Sequence, residues 1–298
     1  MRRLRIVSSA VLVFGVAWLA PAAAYAWGAS AHRFIMRRAL ELLPPEIKPF
    51  FDRNHDEIVV RVMDPDMWRT AGFDEDSNHF VDFGVPEYGP FPFLALPRDY
   101  DQAVAKFGVA TVKRNGLLPW RLEELHGQLR RAFEAYGRGS GLAATDIVLF
   151  TGAASHYIQD AHMPLHASNN FDGQLSGQRG VHSRFESELF ERFESKIVVN
   201  PGGPVPVDRA RDLAFDVLLE SSQAVPGLLQ ADKSAADGRE TYDDSYFEKF
   251  FALAGSMMQQ RLALSITRTA SIIVSAWTAA GKPSLMPLPP KAPQKVSR

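Results

Sequence analysis

The chain contains no cysteine. That excludes disulfides and thiolate metal sites, so any metal held here must be bound through nitrogen and oxygen. No single charge dominates: 33 Lys and Arg stand against 34 Asp and Glu, a formal net charge of −1. This balance excludes proteins that bind polyanions through a broad basic field, and any contact with nucleic acid or lipid would be local. Period-two alternation is scarce and no internal repeat is present, which argues against sheets and solenoids. What is present is 46% hydrophobic residues, spaced mostly as amphipathic helices require.

Arg2, Arg3 and Arg5 precede an apolar run from Ile6 to Ala20 that is short for a bilayer span. Ala24-Tyr25-Ala26 then has the small-x-small form of a cleavage site. Residues 1–26 are expected to be a secretory signal, with an uncleaved anchor as the alternative, and the protein to be secreted or periplasmic. Cleavage would make Trp27 the mature N-terminus. Its α-amine, with a pKa of about 8, could then lose its proton to a metal and form a chelate ring with its own carbonyl oxygen. Packing of the indole is the plainer role for Trp27.

Helical spacing runs over 31–43, 45–63, 99–107, 119–136, 145–161, 182–197, 208–219 and 246–280. Pro44-Pro45 separates the first two, and 84–97 reads as a long surface loop. Residues 282–298 are proline-rich and poor in large apolar side chains, the composition of a disordered tail. The expectation is one all-α multi-helix bundle over 27–281, with its site between facing helices.

The chemistry is concentrated between His156 and Glu186. His156 and Asp160 are four apart in a helical pattern and share a face, and Pro164 then ends the helix. His166 follows in the loop, and His182 and Glu186 repeat the four-residue spacing in the next helix. Imidazoles and carboxylates at this density are the donor set of a metal site. Upstream, His32 lies in the first turn of the first helix, Asp64 and Asp66 precede Arg69, and His79 opens an HFxD segment.

Trp27 with WGxxxH, HFxD at His79, HxxxDxxxPxH from His156 to His166, and HSxxE at His182 together resemble two related families. These are the zinc-dependent phospholipases C and the trinuclear-zinc single-strand nucleases, and the likeness covers Trp27 to about Glu194. HSxxE with Glu186 is similar to the phospholipase branch, whereas the short WGxxxH start is similar to the nucleases and to bacterial relatives of the phospholipases. The resemblance implies that fold and three zinc ions. Asp66, His79, His156 and Asp160 would hold one, and His166, His182 and Glu186 a second. The Trp27 amine and carbonyl, His32 and the other oxygen of Asp160 would hold the third. Asp66 is preferred to Asp64 because Asp66-x-x-Arg69 has the family spacing, and it would double as proton acceptor.

The implied activity is secreted, phospholipase C-like phosphodiester hydrolysis by a zinc-activated water. The alternatives are a single-strand nuclease or 3′-nucleotidase of the same fold, and a zinc-binding protein without turnover. The partner is a phospholipid or a nucleotide phosphoester, with a monomer expected and no obligate protein partner. Where choline-binding phospholipases use an acidic residue and aromatics, this chain has Ser30, Met67 and Asp76, which weakens the case for phosphatidylcholine. Asn169 and Asn170 could reach a substrate phosphate or hold their loop. Asp82 is a candidate to support His79 from behind. Phe80, Phe83, Phe91 and Phe93 could wall a substrate, though core packing is the plainer role. His126 is expected at the surface, and His55 and His162 are weaker candidates for supporting the donors.

Overall fold

A computed structural model describes residues 27–287; the expected leader and residues 288–298 lie outside it. Among the described residues there is no strand, and the architecture is all-α. The chain opens with α1 (Ala29–Glu41), then the short helices α2 (Lys48–Arg53), α3 (His55–Arg61) and α4 (Asp64–Thr70). After the 3-10 turn Asp76–His79 and a long loop come α5 (Tyr100–Phe107), α6 (Val109–Arg114), α7 (Leu118–Gly137) and α8 (Ala143–Asp160). The 3-10 turn Pro164–Ala167 leads towards α9 (Val181–Ser183), a π-helical turn Arg184–Leu189 and α10 (Phe190–Phe193). Two long helices, α11 (Ala210–Ala236) and α12 (Asp244–Ala279), close the fold.

The axis of the bundle is α12, which packs against α1, α7, α8 and α11. Asp243 starts it by accepting from the Tyr246 N–H at 2.9 Å, satisfying one of the first-turn donors that a helix cannot pair internally. Phe250, Met258, Leu262, Ile266 and Ile273 along it are fully buried, and each such side chain contributes about 1.5–3 kcal/mol of transfer free energy. By length and composition α12 could cross a bilayer, and 56% of its most apolar stretch is buried inside the bundle here. A second cluster, with Tyr157, Ile158, Phe215 and Leu218, packs on the other side of α8.

Four boundaries differ from the periodicity, one being 182–197, which is divided into α9, the π-helical turn, α10 and a 3-10 turn Glu194–Lys196. The segment 45–63 is two helices, because the chain bends at Asn54, whose side chain instead donates to the Phe50 carbonyl at 2.8 Å. Periodicity ends a helix at Leu219, yet α11 runs on through Pro226 to Ala236. Pro226 removes one ladder hydrogen bond, and burial of Val225, Leu228 and Ala235 offsets that loss. The packed chain also extends past 281. The Trp277 indole donates to the Pro283 carbonyl at 2.9 Å, the Tyr136 hydroxyl to that of Met286 at 2.8 Å, and Leu285 is buried.

Candidate metal centre

The site is built at the last turn of α8. Gly152, one turn before His156, lies where a Cβ would come within 2.8 Å of the Arg61 backbone carbonyl carbon, so its lack of side chain lets α3 and α8 approach. That approach brings the Val62 carbonyl to 2.8 Å from His156 Nδ1. His156 and Asp160 then point inward at the carboxyl end of the helix, where the backbone carbonyls favour a cation.

Other elements complete the set. From α1, His32 places Nε2 3.3 Å from Asp160 Oδ1, and its ring stacks on His156 at 4.3 Å. Its Nδ1 is 2.6 Å from the Gln159 side-chain oxygen. His79 brings Nδ1 to 2.9 Å from Asp160 Oδ2 and 3.1 Å from His156 Nε2. Asp66 Oδ1, from the first turn of α4, lies 3.9 Å from His156 Nε2 and 4.0 Å from His79 Nδ1. The two oxygens of Asp160 thus face two different groups of donors. A third group lies alongside: His182 Nε2 is 2.9 Å from Glu186 Oε2 and 3.2 Å from His166 Nε2, while its Nδ1 is 2.8 Å from the Phe171 carbonyl. These make three buried groups that could each hold a metal ion: His32, His156 and Asp160; Asp66, His79 and His156; His166, His182 and Glu186.

The donors are buried and many of their atoms lack partners. Both Asp66 oxygens, Asp160 Oδ1, Glu186 Oε2, His32 Nε2 and His166 Nδ1 have no hydrogen-bond partner. Leaving a buried polar atom unsatisfied costs about 1–3 kcal/mol, and a cation held by the cluster would offset that cost. Charge coupling is strong. Burial works against the Asp160 carboxylate, but His156, His32 and His79 outweigh it and hold its pKa well below the usual range. Burial drives His166 well below its ordinary value and raises Glu186 to about 7 against the pull of His182.

A cavity of about 250 Å³ adjoins the donors and exposes His79, His166 and His182 to Arg69, Asp76, Phe80, Asp82, Leu165 and Phe171. Burial raises Asp82, on its wall, to about 7.

Of the residues singled out by sequence, His32, Asp66, His79, His156, Asp160, His166, His182 and Glu186 are brought together. Asp66 joins them, whereas Asp64 turns away to Arg61 at 3.1 Å. Trp27 is buried with its ring 6.0 Å from Phe185. Asn169 and Asn170 hold their loop, through the Gly84 carbonyl at 3.1 Å and the Leu175 N–H at 2.7 Å. The other histidines stand apart: His55 faces Asp56, half-buried His126 faces Ser275, and His162 faces Arg268. Gln159 and the carbonyls of Val62 and Phe171 escaped sequence reasoning. A backbone acceptor leaves no mark in a sequence, and Gln159 sits beside Asp160 where helical geometry turns neighbours apart. No protein-family model matches this chain, and no curated protein matches it.

Proposed function

We propose that this protein is a zinc-dependent phosphoric ester hydrolase, phospholipase C-like in its chemistry. The supporting observation is the orientation of three histidines. His32, His156 and His182 each set Nδ1 against a carbonyl oxygen, from Gln159, Val62 and Phe171 respectively. A nitrogen facing a carbonyl must carry the proton, so Nε2 of the neutral ring presents a lone pair. Those lone pairs face carboxylate oxygens at 3.3, 3.2 and 2.9 Å, a repulsive arrangement unless a cation or a proton lies between. Imidazoles fixed from behind in this way are how proteins orient metal ligands.

Zinc suits a donor set of imidazole and carboxylate without thiolate, and the three groups would take three ions, with Asp160 shared because its Oδ1 faces His32 and its Oδ2 faces His79. Bound zinc would lower the pKa of a water and neutralise phosphate oxygens. The chain's own residues do the rest. Asp66, whose Oδ2 has no hydrogen-bond partner, is placed to accept a proton. Arg69, 3.4 Å from Asp66 and on the cavity wall, offers a guanidinium to a phosphate oxygen. Phe80, Leu165 and Phe171 give the cavity an apolar side for a diacylglycerol leaving group.

The nuclease or 3′-nucleotidase reading is favoured by a different part of the same wall. Phe80 offers a ring face and Asp82 a carboxyl held near neutral pKa, the pairing that a flat base with polar edges requires. The discriminating experiment runs zinc-loaded protein on phospholipid vesicles, single-stranded DNA and a 3′-nucleotide, with and without a chelator. The expected result is chelator-sensitive release of a phosphorylated head group, leaving diacylglycerol. Digestion of DNA without lipid turnover moves the assignment to the nuclease reading. Bound zinc with no turnover on any substrate identifies a zinc-binding protein.

A further inference from the structure

His79 differs from the other donors of its group in what carries it. His156 and Asp160 sit on an 18-residue helix, whereas His79 ends a four-residue 3-10 turn in an irregular segment. Such a segment has no long hydrogen-bond ladder to fix a ring to the tolerance of a metal site, so support must come from elsewhere.

The residue before the turn is Glu75, 6% exposed, and its Oε1 accepts a hydrogen bond from the Tyr157 hydroxyl. Tyr157 is fully buried and follows His156 on α8. Its ring centroid lies 5.3 Å from that of His79 and 5.4 Å from that of His156. One side chain therefore touches the His79 imidazole with its ring and the root of the His79 turn with its hydroxyl. Arg121 of α7 places Nε 3.4 Å from the same Glu75 oxygen, so the buried carboxylate has a cation beside it. Downstream the segment is also gripped. The Leu117 N–H donates to the Ser77 carbonyl at 2.6 Å, and a Cβ on Gly116 would come within 2.1 Å of the Phe80 carbonyl oxygen.

We infer that Tyr157 and Glu75 are positioning residues of the metal centre: their hydrogen bond locks the turn that carries His79 to the helix that carries His156 and Asp160, and so sets metal affinity there. The inference rests on the zinc reading above, and its test separates the two.

Zinc is titrated into the metal-stripped full chain against a competing chelator, for wild type, Tyr157→Phe and Glu75→Gln. The melting temperature of each metal-free protein is recorded alongside. Tyr157→Phe keeps the ring against His79 and removes the hydroxyl alone; Glu75→Gln keeps the shape but removes the charge that strengthens the bond from Tyr157 and pairs with Arg121. Each variant is expected to bind one zinc equivalent about tenfold to a hundredfold more weakly. Adding Tyr157→Phe to His79→Ala should cost no further affinity, since the hydroxyl acts through that ring. A lowered metal-free melting temperature with unchanged zinc affinity marks a bond that serves folding alone and overturns the proposal. Losses that add in full in the His79→Ala background overturn it as well. Wild-type protein that takes up no zinc overturns the zinc reading and this inference with it, whereas wild-type binding matched by both variants overturns the positioning role alone.

Discussion

Two largely buried polar clusters lie at the end of α8, and both combine histidine, carboxylate and helix-borne partners. In the first, His156 and Asp160 meet His32, His79 and Asp66, and Asp160 Oδ1, His32 Nε2 and both Asp66 oxygens are left without a hydrogen bond. In the second, His162 is surrounded by Arg261, Arg268, Glu220 and Ser221, and each polar group there meets a complement. His162 donates Nδ1–H to the Ile158 carbonyl at 2.7 Å and accepts on Nε2 from Arg268 at 3.3 Å. Arg261 donates to the His162 carbonyl at 3.0 Å and to Ser221, and Arg268 holds Glu220 through two bonds of 2.7 Å. Burial and polarity are common to both regions. Unmet atoms distinguish them: the first cluster keeps several and could hold a cation, and the second ties α8, α11 and α12 together unaided.

The sharpest way to break this contrast is Asp160→Asn. It keeps the volume but removes the charge and one anionic oxygen from the residue that faces two donor groups. Zinc content is expected to fall by about two equivalents, phosphodiesterase rate by about three orders of magnitude or more, and the zinc-loaded melting temperature with them. Retention of full zinc would show that Asp160 is not shared. His182→Ala should do less, because the group around Asp160 is left intact. Loss of about one zinc equivalent, measured on the same preparation, is the expected result, with more of the stability kept.

In the second cluster the effect should be confined to stability. Glu220→Gln breaks a partly exposed ion pair and should cost about 1 kcal/mol in denaturant unfolding, with zinc content unchanged. Altered zinc content in that variant would mean that the two regions are coupled. The smallest expected effect is a pH slope. Burial, Arg261 and Arg268 hold His162 well below its ordinary value of 6.5. Below that pH the unfolded chain takes up a proton that the folded chain refuses, so stability contributed by His162 is present above it and lost on acidification. His162→Gln should flatten this part of the acid loss in metal-free protein. His156 slopes the other way: burial opposes its charge, but Asp160 and Asp66 raise it, so its contribution is present below 6.5 and fades as pH rises through the raised value.

Helix identity was largely readable from periodicity, and helix extent was not. Apolar spacing marks α1 and α7, which each bury one face against neighbours, whereas α8 is buried on every side from Thr151 to Asp160. The continuation of α11 past Pro226 left no such mark, since it depends on what Val225, Leu228 and Asp232 meet across the bundle. Asp232 pairs there with Arg184 at 2.9 Å, which anchors the π-helical turn that carries Glu186 to a helix 48 positions away.

The sequence alone determined the kind of chemistry available. Without cysteine, a metal could be met by nitrogen and oxygen alone, and the four-residue spacings of His156 with Asp160 and of His182 with Glu186 already put each pair on one helical face. Tertiary structure decided which atoms are left wanting. That Asp66 rather than Asp64 turns inward, that Asp160 divides its oxygens, and that His162 is satisfied while His156 is not all follow from packing between distant segments. Local spacing fixes the direction of a side chain along its own helix, but hydrogen-bond satisfaction depends on partners from the rest of the chain.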